Sequence, residues 1–152
     1  MSRHDAEIEW RSDGHFSDGS YSRAHQWRFD GGQTVRGSSS PSVVREPMSE
    51  PFGVDPEEAL VASAASCHML WFLNLAQHAG LDIASYRDAA SGEMGKLDGR
   101  IALTRITLRP QVEFAGRRPA AEELADLHHR AHERCFIANS LKSEIVVEPV
   151  GG

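Results

Sequence analysis

The stretch DPEEALVASAASCHML, residues 55–70, decides how the chain is read. Asp55 is a helix-capping residue type, Pro56 suits the first helical position, and Glu57 and Glu58 complement the positive end of a helix dipole. Leu60, Ala64, Cys67, Trp71 and Leu75 then recur at helical spacing. Val61, Ala65, Met69 and Phe72 widen the apolar surface beyond one stripe. The pattern predicts a long helix, buried on most sides, with Gly80 as its C-cap. Cys67, one of only two cysteines in the chain, stands in the middle of it.

Strands surround this helix. AEIEWR (6–11) alternates apolar and charged residues, and AHQWRFDGG (24–32) places Trp27 and Phe29 on one side before a Gly-Gly turn. QTVRGSSSPSVVREPMSEPFGV (33–54) reads as a short strand followed by a loop rich in Ser, Pro and Gly around Val43 and Val44. Beyond the helix, IASYRDAASGEM (83–94) reads as a strand, LDGR (97–100) as a turn, and IALTRITLRPQVEF (101–114) as the hairpin partner. RRPAAEELADLHHRAHERC (117–135) predicts a second helix with Leu124, Leu127 and Ala131 on one side, and SEIVVEPV (143–150) a closing strand. This order predicts an α+β fold in a single domain over residues 1–152, without repeats or a linker.

Composition narrows the function. A chain of 152 residues with 40% hydrophobic and 25% charged residues is ordinary for a globular protein. A net charge of −6 argues against a general nucleic-acid binder. The best apolar run is broken by Ser66, His68, Asn74 and Gln77, so no membrane span is expected. The opening MSRHDAEIEW lacks the apolar core of a signal peptide, which points to the cytoplasm. Two cysteines in that compartment raise the weight of reactivity or metal binding over a structural disulfide.

A thiol on an apolar helical stripe is ordinarily packing. For Cys67 to work as a nucleophile it must be a thiolate, and that requires a positive neighbour. The helix start cannot supply it, because Cys67 lies about 16 Å past Pro56 along the axis and the dipole acts only within the first turn. A second constellation is His128, His132 and Cys135, at i, i+4 and i+7. Imidazoles and a thiolate on one helix face are zinc ligands, with His68 a possible fourth. Against this, AEELADLHHRAHER is otherwise a charged amphipathic helix whose histidines would be solvated.

Two segments resemble a known family. DPEEALVASAASC resembles the N-P-E-E/Q-L…A-A-C helix opening of the OsmC/Ohr family of organic hydroperoxide reductases. CFIANSLKSEIVV resembles the family's second signature, C-P-[VI]-S-N-A-[LI], and the 68 positions between the cysteines are about the family's separation. The resemblance implies antiparallel sheets around a long buried central helix, in an intertwined homodimer; because Glu57 lies about 15 Å before Cys67 along the helix, each active site is expected to be shared between the two chains. It implies Cys67 as peroxidatic and Cys135 as resolving cysteine, joined during turnover in a disulfide, with Glu57 as the glutamate of the first motif. The arginine that pairs with this glutamate would be Arg45 by the OsmC pattern or Arg23 by the Ohr pattern. The implied activity is a stress-response peroxidase without a cofactor, regenerated by a dihydrolipoyl protein, a thioredoxin-like protein or a small thiol. The apolar Met69, Trp71 and Phe72 suit an organic hydroperoxide as substrate. Asp55 for Asn, His68 after the cysteine where Phe is common, and CFIAN for CPVSN depart from the pattern. The competing readings are a binding module that holds a small apolar molecule with idle thiols, and the His128, His132, Cys135 metal site.

Overall fold

The computed structural model describes residues 1–151. Met1–Ala59 forms one compact unit and the chain from Leu60 onward a second. In the first, β1 (Ala6–Glu9), β2 (His25–Phe29) and β3 (Thr34–Gly37) make an antiparallel sheet in that order. Ile8 pairs with Trp27, and Trp27 with Val35, so the apolar positions of three strands share one face. Gly37 pairs with His25 at the end of β3. A Cβ there would run into the rings of Trp27 and His25. Trp27 Nε1–H donates to His25 Nε2 at 2.8 Å, and His25 Nδ1 lies 2.7 Å from the Arg23 carbonyl. An indole only donates, so His25 accepts at Nε2 and donates at Nδ1.

The long helix α1 (Pro56–His78) begins and ends as the sequence predicts. Asp55 Oδ1 accepts from Glu58 N–H, and Asp55 N–H donates to Glu58 Oε1, both at 2.8 Å, a reciprocal capping box. Gly80 terminates it at φ +76°, a conformation glycine adopts without a steric penalty. Its burial differs from expectation. Ala64, His68, Phe72, Leu75 and Ala76 are the buried residues, five of 23, so the inward stripe runs through His68 rather than Cys67 and Trp71. Also against expectation, α1 is long and apolar enough by length and mean hydropathy (1.5) to cross a membrane. Its buried residues nevertheless pack against protein elements of the second unit.

That unit contains two sheets. β4 (Ile83–Asp88) pairs antiparallel with β7 (Pro110–Phe114). β6 (Arg100–Leu108) lies between β5 (Ser91–Leu97) and β8 (Glu144–Val147). The segment IASYRDAASGEM is thus divided between two sheets rather than forming one strand. The β5–β6 hairpin turns at Asp98 and Gly99, with φ of +51° and +77°, the two positive values a type I′ turn requires. β8 runs parallel to β6, beside the antiparallel β5–β6 pair. A parallel pair needs a long crossover, and the chain supplies one through β7, α2 (Ala121–Arg134) and α3 (Phe136–Ser140).

Two apolar clusters hold α1 in place. Its C-terminal half packs Phe72, Leu75 and Ala76 against Leu127 and Ala131 of α2, with Ile83, Tyr86, Val112 and Phe114 of β4 and β7 around them. Its N-terminal half packs Ala64 against Ile106 and Leu108 of β6, flanked by Ile137, Ile145 and Val147. Full burial of a side chain such as Phe72 stabilises the fold by about 1.5–3 kcal/mol.

Candidate active site

The second unit brings the two cysteines together. Cys67 is half-buried midway along α1. Cys135 is 2% exposed and occupies the junction at which α2 stops, in an extended conformation (φ −66°, ψ 110°) that turns the chain into α3. Its Sγ accepts the Ala138 N–H at 3.4 Å. Both thiols are free, and Cys67 lies close enough to Cys135 to act on its titration. Burial, reinforced by Cys67, pushes the Cys135 thiol up from 9.0 to about 11, against the opposing pull of the Ala138 N–H. At neutral pH Cys135 is therefore a protonated thiol.

Only Cys67 opens onto space. A cleft of about 270 Å³ is lined by Cys67, Leu70, Trp71 and Asn74 from α1 and by Phe136 from α3. The four α1 positions are i, i+3, i+4 and i+7, one face of a helix. Trp71 and Phe136 meet edge to face, with ring centroids 5.5 Å apart at 82°, and Arg134 places its guanidinium 5.8 Å from the Trp71 ring centroid. Of the three apolar residues expected around the substrate, only Trp71 lines the cleft. Phe72 and Met69 require correction. At about 100° per residue they point roughly 140° and 200° around the helix from Cys67. Phe72 is accordingly fully buried and stacked on His128, with centroids 4.4 Å apart. Leu70 and Asn74 were legible as the i+3 and i+7 neighbours of Cys67. Phe136 has no sequence signal beyond its place next to Cys135.

The other expected site residues, Arg23, Arg45 and Glu57, lie in the first unit, Glu57 in the opening turn of α1. Glu57 is half-buried, and its carboxylate forms no hydrogen bond or ion pair among the described residues. Arg23 stacks its guanidinium 3.6 Å above the Tyr21 ring and donates to the carbonyls of Gly19 and Tyr21. Arg45 is exposed, and its guanidinium has no hydrogen-bond or ion-pair partner among the described residues.

The metal trio of His128, His132 and Cys135 is not assembled. Among the described residues no three His, Cys, Asp or Glu side chains converge as a metal site. The helical i+7 relation fails because α2 ends at Arg134, and the Cys135 thiol turns to Cys67 instead. Nor is His68 a ligand beside Cys67, since it faces inward, 1% exposed, with its Nε2 3.1 Å from His128 Nδ1. The two rings lie parallel within 5°. Both imidazoles are lowered from 6.5 to about 4, by burial first and, at His68, also by the neighbouring His128 and His132.

Sequence and structure comparisons agree with this architecture. The sequence profile of the OsmC-like protein family matches residues 48–150. An OsmC-like protein of unknown function from Vibrio cholerae is 47% identical and superimposes with a TM-score of 0.96, over 99% of this chain and 100% of that one. An organic hydroperoxide resistance protein of Elizabethkingia anophelis shares the fold at 16% identity, with a TM-score of 0.71 over 98% of this chain and 94% of that one. A second such protein, from Bacillus subtilis, gives 0.64 at 16% identity over 97% and 96%. No curated protein sequence matches the chain. The chain belongs to the OsmC-like protein family.

Proposed function

We propose that the protein is a cysteine-based peroxidase that reduces organic hydroperoxides. The observation carrying this reading is the asymmetry of two contacting thiols: Cys67 opens onto an apolar cleft, while Cys135 is buried and held protonated. The Cys67 thiolate attacks the outer peroxide oxygen, the O–O bond breaks, and the alkoxide leaves as an alcohol after taking a proton. Cys67 becomes a sulfenic acid. The Cys135 sulfur then attacks Cys67, an S–S bond forms, and hydroxide departs with the Cys135 proton as water. An external dithiol or two small thiols return both cysteines to the reduced state. Keeping Cys135 protonated restricts the first oxidation to Cys67, because the thiolate is the nucleophile.

Arg45 and Glu57 are assigned to stabilising the Cys67 thiolate. The unpaired guanidinium of Arg45 favours it over Arg23, which is engaged with Tyr21 and nearby carbonyls. About 15 Å of helix separates Glu57 from Cys67, too far for a tight network within one α1. The apolar, largely unburied α1 supports a homodimer in which one subunit's Glu57 and Arg45 serve the partner's thiol. The decisive experiment measures titratable thiols during addition of cumene hydroperoxide. Wild type should lose two thiols per peroxide, Cys135→Ser should lose one and stall, and Cys67→Ser should lose none. Thiols that survive excess peroxide in wild type would leave a ligand-binding role with idle cysteines.

A further inference from the structure

We propose that His128 and His132 form a binding site for a divalent transition-metal ion, separate from the thiol pair. The two histidines are one turn apart on α2, and both line a cavity of about 300 Å³ together with Ile145, Val147 and Pro149. His128 is 4% exposed, yet its Nε2 is buried without a hydrogen-bond partner, as is His132 Nδ1. Native proteins rarely leave such atoms unsatisfied, since each costs about 1–3 kcal/mol. A ligand at these nitrogens removes that cost.

The surroundings orient His128 for a ligand. Its Nδ1 is 3.1 Å from His68 Nε2, and Phe72 stacks on its ring, so the imidazole is clamped from two sides. A metal at Nε2 selects the tautomer in which His128 Nδ1–H donates to His68 Nε2. His68 is then an outer-sphere residue that orients the ligand. His129, also at the cavity, is instead directed to Glu133 at 3.2 Å. Imidazole donors select zinc, cobalt, nickel or copper over magnesium or calcium. Because no third protein donor converges among the described residues, the remaining coordination positions face the cavity, open to water or a small exogenous ligand.

Cobalt(II) titration of the reduced, chelator-stripped protein tests this, because the metal's visible d–d absorption reports its coordination directly. Wild type should saturate at one equivalent per chain, with a spectrum free of thiolate-to-cobalt charge transfer. Cys135→Ser should titrate identically. His132→Gln should abolish the signal, and that residue is only half-buried, so its replacement preserves the fold. His68→Phe, which keeps both ligands, should weaken binding about 10–100-fold. Absence of stoichiometric binding in wild type, or an unchanged titration in His132→Gln, overturns the proposal. A charge-transfer band that disappears in Cys135→Ser would overturn it too, by moving the metal to the thiols.

Discussion

Lowering the pH from 7 to 5 should weaken the folded state chiefly through His68 and His128. Burial holds both rings at about 4, against 6.5 for the free side chain. As the pH falls through 6.5 the unfolded chain takes up protons that the native rings refuse until about 4. Stability present at pH 7 is therefore lost across that interval. At pH 5 each ring with these two values forfeits about 2 kcal/mol, and the pair about 4. That is a large share of the roughly 5–15 kcal/mol that holds a typical domain. Other groups contribute little in this window. The carboxyls of Glu9, Asp13, Asp18, Glu50 and Glu123 are held below their ordinary values, so their contributions fade only at lower pH. Burial raises Asp88, which works in the opposite direction by taking up a proton earlier in the native state. Urea unfolding of wild type and His68→Phe at pH 7 and pH 5 measures the effect, with chelator present so that metal linkage adds nothing. The loss between the two pH values should be about 2 kcal/mol smaller in the variant. An equal loss in both proteins, or none in wild type, would refute the argument.

Three further outcomes follow from the packing and the thiol pair. In Cys67→Ser, the pH midpoint for alkylation of Cys135, followed by mass spectrometry, should stay well above 9.0, because burial is the largest cause of its shift; a midpoint at or below 9.0 would remove that cause. Phe72→Ala should cost about 3–5 kcal/mol in denaturant unfolding and Trp71→Ala, at the cleft wall, markedly less; the reverse order would mean the buried stripe is misassigned. Asp55→Ala should cost about 0.5–2 kcal/mol through the lost capping box, and an unchanged unfolding midpoint would show that α1 starts elsewhere.

What was legible in the sequence, and what was not, turns on the phase of one helix. The ends of α1 were readable because capping is local chemistry: Asp55, Glu58 and Gly80 act within a few residues of themselves. The inward face was not readable, because a helix apolar on nearly every side carries no phase. Hydrophobicity ranks Cys67 and Trp71 as the inner stripe and His68 as an interruption. The structure reverses this, since His68 Nε2 meets His128 Nδ1, 60 residues away, a partner no local pattern reveals. The same error misplaced the cleft. Turning His68 inward sends Phe72 into the core and leaves Asn74 beside Cys67. The thiol pair was legible only through a family resemblance, because Cys135 reaches Cys67 by leaving α2, not by continuing its periodicity. The parallel β8 was hidden for a related reason: EIVV fits either direction of pairing, and only the crossover through α2 and α3 decides it. His68 thus breaks the apolar run in the sequence and, in the fold, makes the polar contact that joins α1 to α2.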